Sequence, residues 1–251
     1  MFNDIFQIDP NQVIVKDILT SNIKAAHVFE KYGIDFCCKG NRPLGEACAE
    51  KSVSIDTILT ELKSIDDTDD ESTSEMRFET WDLKFLIDYI INNHHSYVRN
   101  AIDQMTPHIE KVALKHGNKY PELENAKSLF EDVAEEMISH MHKEETILFH
   151  IIRYLGDCQK FNERPKMSGF KTVKHPIDAM EAEHSNAGNA MEKIRNLTNN
   201  FTPPADACNT FKLTYKELED FEKDLHIHVH LENNILFPKA IQLEEELIKN
   251  N

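Results

Sequence analysis

The residues best suited to chemistry lie in the segment DLHIHVHLENNILFP, residues 224–238, where three alternating histidines precede a glutamate. If the segment is helical, His228 and Glu232 are neighbours, because side chains four positions apart lie on the same face. One imidazole and one carboxylate at this spacing can bind the same metal ion. Apolar residues three and seven positions before His228, and seven and eight after it, share its face. The pattern therefore predicts that His228 and Glu232 point into the protein and that His226 and His230 face solvent.

A second segment, HMHKEETILF at residues 140–149, repeats the pattern of residues 228–237 with six identical positions in ten. It predicts an inward His140 and Glu144 and an outward His142, with Ile147 on the inward stripe. One such motif is weak, because 13 histidines produce about one H-x-x-x-E spacing by chance. A single inward histidine is also more often a hydrogen-bonded core residue than a ligand. Two copies on apolar stripes favour a shared metal centre in which each glutamate bridges two ions.

Two further histidine segments could complete the ligand set. His184 in MEAEHSNAG shares a stripe with apolar residues. Glu181, three positions earlier, is an additional candidate because Glu-x-x-His recurs in ferritin-like di-iron proteins, whereas Glu183 lies nearly opposite His184 on the helical wheel. In IINNHHSYVRN the period centres His94 on the apolar stripe and places His95 at its edge. Spacing alone leaves the choice between these two histidines open.

The elements that must position these residues are helices, and the predicted fold class is all-α. Short apolar periodic stretches before residue 66 predict four short helices, which we assign to a small domain at residues 1–66. The segment DDTDDESTSE, residues 66–75, has dense negative charge and no apolar residue, which predicts a solvated linker, and we place this linker at residues 67–78. Residues 79–251 then contain four long amphipathic segments, which predict a four-helix bundle. These segments span about residues 81–116, 121–155, 173–199 and 205–248, with a loop beginning at Gly156.

The composition argues against two classes of binding partner, nucleic acids and anionic membranes. The formal net charge of -16 argues against binding to nucleic acid or to an anionic membrane, because phosphate recognition uses clustered lysine and arginine. No run approaches the ~20 apolar residues of a membrane span. The N-terminus also lacks the basic and apolar regions of a signal peptide, so we expect a cytoplasmic protein.

Cysteine usage points to reduced thiols. The chain has five cysteines, and Cys37 and Cys38 are adjacent, which argues against a disulfide framework. A strained peptide link makes adjacent cysteines a poor local disulfide. Lys39 and Arg42 lie close in sequence, so we expect exposed thiols that favour the thiolate form.

Taken together, these segments resemble a known family, the iron-sulfur cluster repair di-iron proteins, also called repair-of-iron-centres proteins. The resemblance covers nearly the whole chain. An N-terminal hallmark looks like FEKYGIDFCCKGNRPLGEAC, and a hemerythrin-like domain resembles HHSYVR, HMHKEETILF, MEAEHSNAG, NNFTPPADAC and HVHLENNILFP, in that order. Carried over position by position, the family's iron ligands fall on His95, His140, Glu144, His184, His228 and Glu232. Here the arginine four positions later, Arg99, selects His95 over His94.

The resemblance implies a hemerythrin-like four-helix bundle with two non-haem iron ions, bridged by glutamates and by an oxo or hydroxo group. It also implies repair of iron-sulfur clusters damaged by nitrosative or oxidative stress, through donation of iron rather than conventional enzyme catalysis. Cys37 and Cys38 would be accessory thiols, damaged iron-sulfur proteins the partners, and the small domain a candidate dimerisation surface. The alternatives are a hemerythrin-like module that binds dioxygen or nitric oxide, a nitric oxide reductase, and a ferritin-like oxidase.

Overall fold

The computed structural model describes residues 8–66, 76–166 and 172–249. Within these residues the regular structure is helical, and the β pairing found there is an isolated bridge between Ile14 and Pro43. The predicted all-α class is confirmed. Among the described residues, no helix combines the length and the apolar character that crossing a membrane requires.

The described chain divides by its contacts into two compact units. The first unit takes the residues up to Asp82 together with Val229–Pro238, and the second takes Leu83–His228 and the residues from Lys239 onward. The N-terminal part of the first unit contains the four short helices that the sequence predicts. They are α1 (Val15–Ser21), α2 (Ala25–Lys31), α3 (Leu44–Glu50) and α4 (Ile55–Asp66).

A small apolar core holds these helices, because each presents an apolar stripe too short to be stable alone. Its fully buried side chains include Ile18, Phe29, Leu44, Ile58 and Leu62. Most of the predicted acidic linker, residues 67–75, lies outside the described residues. After it, the buried Phe78 begins a short 3₁₀ turn. The domain boundaries at residues 66 and 79 remain predictions.

Four long helical segments form the bundle, as the sequence predicts, and we number these bundle helices in chain order. The first consists of α5 (Leu83–Tyr89), a π-helical turn (Ile90–His95) and α6 (Ser96–His116). The second consists of α7 (Glu122–Lys143), a π-helical turn (Glu144–Leu148) and α8 (Phe149–Phe161). The third is α9 (Lys174–Leu197), and the fourth consists of α10 (Asn209–Leu231), a π-helical turn (Glu232–Leu236) and α11 (Phe237–Lys249).

The second bundle helix is longer than predicted, because it continues through Gly156 to Phe161. An isolated glycine costs a helix only about 1 kcal/mol, and the buried Leu155 and Cys158 hold the backbone on both sides of it. The helix ends where Asn162 adopts a left-handed conformation with φ of 53°. The prediction of a loop from Gly156 was therefore wrong.

Three π-helical turns interrupt the bundle helices, and each contains one of the predicted ligands: His95, Glu144 or Glu232. A π turn bonds residue i to i+5, so it adds a residue to the turn and changes which side chains face inward. In the second helix this change leaves Ile147 42% exposed, although the sequence pattern placed it on the buried stripe. Single π turns of this kind occur frequently at functional sites.

Candidate metal centre

Six buried side chains from the four bundle helices form two groups that could each hold a metal ion. One group contains His95, Glu144, His228 and Glu232, and the other contains His140, Glu144, His184 and Glu232. In each group the ligand atoms lie within 4.8 Å of one another. All six side chains are at most 1% exposed. The inward orientation that the helical period predicts is therefore confirmed for five of them, and His95, which the period placed at the edge of its stripe, is buried as well. Both glutamates belong to both groups, which is the arrangement required of bridging carboxylates.

The distances between the nitrogen atoms fit a shared cation. Nε2 of His95 lies 3.1 Å from Nε2 of His228, and Nε2 of His184 lies 2.9 Å from Nε2 of His140. Two ligands at about 2.1 Å on adjacent octahedral positions lie about 3.0 Å apart. One oxygen of Glu144 lies 3.3 Å from Nε2 of both His95 and His140. The donor set therefore fits two ions that share this carboxylate.

The His95 ring is oriented by a carboxylate from the second bundle helix. Nδ1 of His95 lies 2.7 Å from Oε1 of Glu145, and the same oxygen accepts a hydrogen bond from Arg99 at 2.7 Å. An ionised carboxylate can only accept, so Nδ1 carries a proton, and in the neutral ring the lone pair of Nε2 faces the group. Burial opposes ionisation of Glu145, but hydrogen bonds from Arg99 and His95 outweigh it and hold the pKa of this carboxyl below its ordinary value.

The His140 ring is oriented in the same way by the third bundle helix. Its Nδ1 lies 2.9 Å from Oε2 of Glu183, and Lys143 pairs with the other oxygen of that carboxylate. Burial again opposes ionisation, and hydrogen bonds from Lys143 and His140 outweigh it and lower the pKa of Glu183. This supporting role of Glu145 and Glu183 was not predicted from the sequence. Their only signal is adjacency, since Glu145 follows Glu144 and Glu183 precedes His184.

Removing these supporting carboxylates should weaken metal binding without removing a ligand. We expect Glu145→Ala and Glu183→Ala each to lower metal affinity by about 10- to 100-fold, because the histidine loses its fixed tautomer and orientation. The measurement is competition for the bound metal with a chelator of known affinity. Glu181→Ala is the matched control, because Glu181 lies on the same helix and its side chain is exposed. Equal metal retention by Glu183→Ala and Glu181→Ala would contradict the assigned role.

Of the two adjacent histidines, His95 belongs to a ligand group and His94 does not. His94 is also buried, but its Nδ1 lies 2.9 Å from Asp224 and its ring stacks on that of His228 at 5.6 Å between centroids. The helical period favoured His94 because it assumes uniform α geometry. The π turn at Ile90–His95 adds a residue to the turn and brings His95 toward the group instead.

His230 is a clear correction, because it was predicted to face solvent and is fully buried. Its ring packs edge-on against Phe36, and its Nδ1 lies 3.0 Å from Nδ2 of Asn234. Burial lowers the pKa of His230 to about 3. The prediction assumed one buried helix face, whereas Val229–Pro238 also contacts the N-terminal residues of its own unit. His226 is half-buried, and His142 is exposed as predicted.

The adjacent cysteines also differ from expectation. Both thiols are free, but Cys37 is buried and only Cys38 is partly exposed. The hydrogen bond to Cys38, burial and the nearby Asp35 carboxylate raise the pKa of the Cys37 thiol well above its ordinary value. The prediction of an exposed thiol that favours the thiolate form was therefore wrong for Cys37. One of the expected cations, Arg42, is instead paired with Glu50.

Two family models match the chain over consecutive regions. Residues 11–66 match a domain of unknown function, DUF542, named ScdA_N. Residues 86–240 match the hemerythrin HHE cation binding domain, and this match contains all six buried ligand-type side chains. The bundle is therefore hemerythrin-like, and a capacity to bind cations agrees with the donor set found in it.

Curated relatives resemble the chain over nearly their whole length. An iron-sulfur cluster repair protein ScdA of Staphylococcus haemolyticus is 33% identical over 232 residues, which is 91% of this chain and 98% of the relative. An iron-sulfur cluster repair protein YtfE of Enterobacter is 33% identical over 225 residues, covering 90% and 94%. A protein of the same name from Escherichia coli is 34% identical over 218 residues, covering 87% and 91%.

Proposed function

This chain belongs to the family of the iron-sulfur cluster repair proteins ScdA and YtfE, and we propose that it repairs damaged iron-sulfur clusters by donating iron from a buried di-iron site. The observation that carries the proposal is the sharing of Glu144 and Glu232 by two neighbouring ligand groups. His95 and His228 would bind one ion, and His140 and His184 the other. The glutamates would bridge them.

The donor chemistry supports iron in this site. Four imidazoles and two carboxylates form a nitrogen and oxygen set that suits iron, whereas zinc in structural sites prefers four ligands that often include thiolates. When bound, a pair of irons with an oxo or hydroxo bridge would supply reversible one-electron chemistry and exchangeable ferrous iron. In the neutral rings of His95 and His140, the hydrogen bonds to Glu145 and Glu183 place the proton on Nδ1 and leave the lone pair of Nε2 available to a cation.

The same ligand set favours release. Fe²⁺ lies near the weak end of the affinity order for divalent metals, and only two of the six ligands are anionic. A ferrous ion held mostly by neutral imidazoles gains less electrostatic stabilisation than one held by several carboxylates. Such a site suits a donor of iron better than a permanent store. The clients would be iron-sulfur proteins damaged by nitric oxide or by oxidants, and dimerisation of the chain remains a prediction.

The test is anaerobic repair of an enzyme whose cluster has been damaged by nitric oxide. We expect the iron-loaded chain to restore the activity of that enzyme. The Cys37→Ser, Cys38→Ser double variant should keep its bundle metal, because the thiols lie outside both His/Glu groups. It should nevertheless restore activity several-fold more slowly, because the family resemblance implies that these cysteines assist repair.

The control is a Cys208→Ser variant, which replaces another partly exposed cysteine outside both His/Glu groups and should repair at the rate of the intact chain. Equal repair by the double variant would exclude the thiols from the mechanism. Reversible binding of nitric oxide or dioxygen without any recovery of activity would instead identify a gas-binding module.

A further inference from the structure

A third cluster of ligand-type side chains lies in the loop between α2 and α3 of the first unit. Asp35, Cys37 and Cys38 each offer one atom, and the three atoms lie within 4.8 Å of one another. Cys37 is buried, while Asp35 and Cys38 are partly exposed. The loop therefore combines two soft sulfur donors with one hard oxygen donor beside a route to solvent.

The separations in this cluster match those of ligands around one cation. Sγ of Cys37 lies 3.8 Å from Sγ of Cys38, and its S–H donates to Oδ1 of Asp35 at 3.4 Å. Two thiolates bound tetrahedrally to one ion at about 2.3 Å lie about 3.8 Å apart. A disulfide would require sulfur atoms about 2.05 Å apart. The cysteines are thus placed for chelation and not for a bond to each other.

The loop is held in this conformation from two sides. Oδ1 of Asp35 accepts hydrogen bonds from the backbone N–H groups of Cys37, Cys38 and Lys39 at 3.1, 2.9 and 3.2 Å. Because these donors engage Oδ1, the carboxylate would bind an ion through Oδ2. In the same unit, Nδ2 of Asn234 donates to the carbonyl oxygens of Phe36 and Cys37 at 3.3 and 3.2 Å. Ligands fixed in advance lose less conformational entropy when an ion binds.

We propose that Asp35, Cys37 and Cys38 form an additional cation site, which binds one thiophilic divalent ion such as Zn²⁺ or Fe²⁺. Two S–H bonds break as two metal–sulfur bonds form, both protons pass to solvent, and no electrons are transferred. The dipositive charge offsets the repulsion among one carboxylate and two thiolates. Three protein ligands leave the fourth position open, which is typical of exchangeable sites and not of closed structural ones. The inference goes beyond the proposed function, because it holds whether or not the bundle donates iron.

The test uses the full chain with its bundle groups filled with iron and one added equivalent of Zn²⁺. X-ray absorption at the zinc edge should show about two sulfur neighbours at about 2.3 Å together with oxygen or nitrogen. The sulfur signal should vanish in the Cys37→Ser, Cys38→Ser double variant. A zinc environment of nitrogen and oxygen alone in the intact chain would overturn the proposal, as would sulfur ligation that survives in the double variant.

Two further variants make the test of this site decisive. Cys208→Ser is the matched control, because Cys208 is another partly exposed thiol and its neighbour Nε2 of His116, at 3.4 Å, is also a zinc-ligand type. Loss of the sulfur signal in this variant would overturn the assignment to Cys37 and Cys38. Asp35→Asn keeps an oxygen that can accept the three backbone hydrogen bonds but removes the charge, and we expect zinc affinity to fall by at least about tenfold. Unchanged zinc affinity in Asp35→Asn, with circular dichroism and iron content equal to those of the intact chain, would exclude Asp35 as a ligand and contradict the proposed site. This result would be decisive even if the double cysteine variant failed to fold.

Discussion

Replacing Glu144 and Glu232 together by glutamine is expected to lower the iron content from about two ions per chain to less than one. Each carboxylate belongs to both ligand groups, so the double change removes two bridging carboxylates from each ion. Metal analysis of protein produced in iron-replete cells gives the content. Glu136→Gln, an exposed position on the second bundle helix, is the control and should leave the content unchanged.

The same variant separates a ligand role from a packing role. A bound metal stabilises the folded state by mass action, so the intact, iron-loaded chain should unfold at a clearly higher temperature than the double variant. Without metal, the difference in unfolding temperature between the two proteins should disappear or reverse, because glutamine has the shape of glutamate without the cost of burying a charge. A metal-free double variant that unfolds well below the metal-free intact chain would indicate that the two glutamates serve packing instead.

The second large effect is expected at the inward histidines. His140→Ala and His228→Ala should each abolish or strongly reduce iron binding, because each removes one of the two imidazoles from its group. His142→Ala should leave iron content and absorption nearly unchanged, because His142 is exposed although it is two positions from His140. A loss of iron in His142→Ala equal to that in His140→Ala would contradict the chosen helix face.

The adjacent pair gives a finer comparison within the same experiment. His95→Ala should lose iron, whereas His94→Ala should retain it, because only His95 belongs to a ligand group. His94 stacks on His228, so a moderate loss of affinity in His94→Ala is compatible with a supporting role. Retention of both irons by His95→Ala would reverse the assignment.

The inward ligands could be predicted from the sequence because a spacing of four residues depends only on a single helical turn. The burial of His140 with Glu144, and of His228 with Glu232, follows from that local geometry and from the apolar residues around it. The choice between His94 and His95 could not be predicted in this way. A π turn shifts the helical register by one residue, and no spacing rule in the sequence signals it.

A helical wheel could not predict the residues that support the ligands, for a different reason. Glu183 lies opposite His184 on its own helix, but its carboxylate reaches His140 on a neighbouring helix. His230 was expected to be exposed, because the period identifies one buried face per helix and cannot reveal a second one. Cys37 lies in a loop, where no helical period predicts which side chains are buried. Contacts of this kind depend on how separate elements pack, which a single sequence does not encode as a period.

The most direct measurement of iron donation follows labelled iron from this protein into a repaired cluster. The chain is loaded with isotopically labelled iron and incubated without oxygen with an enzyme whose cluster has been damaged by nitric oxide. The reseparated enzyme is then analysed for the label and for activity. We predict that label enters the enzyme in proportion to recovered activity, and that the Glu144→Gln, Glu232→Gln variant supports neither. Recovery of activity with only unlabelled iron in the cluster would contradict iron donation from the bundle site.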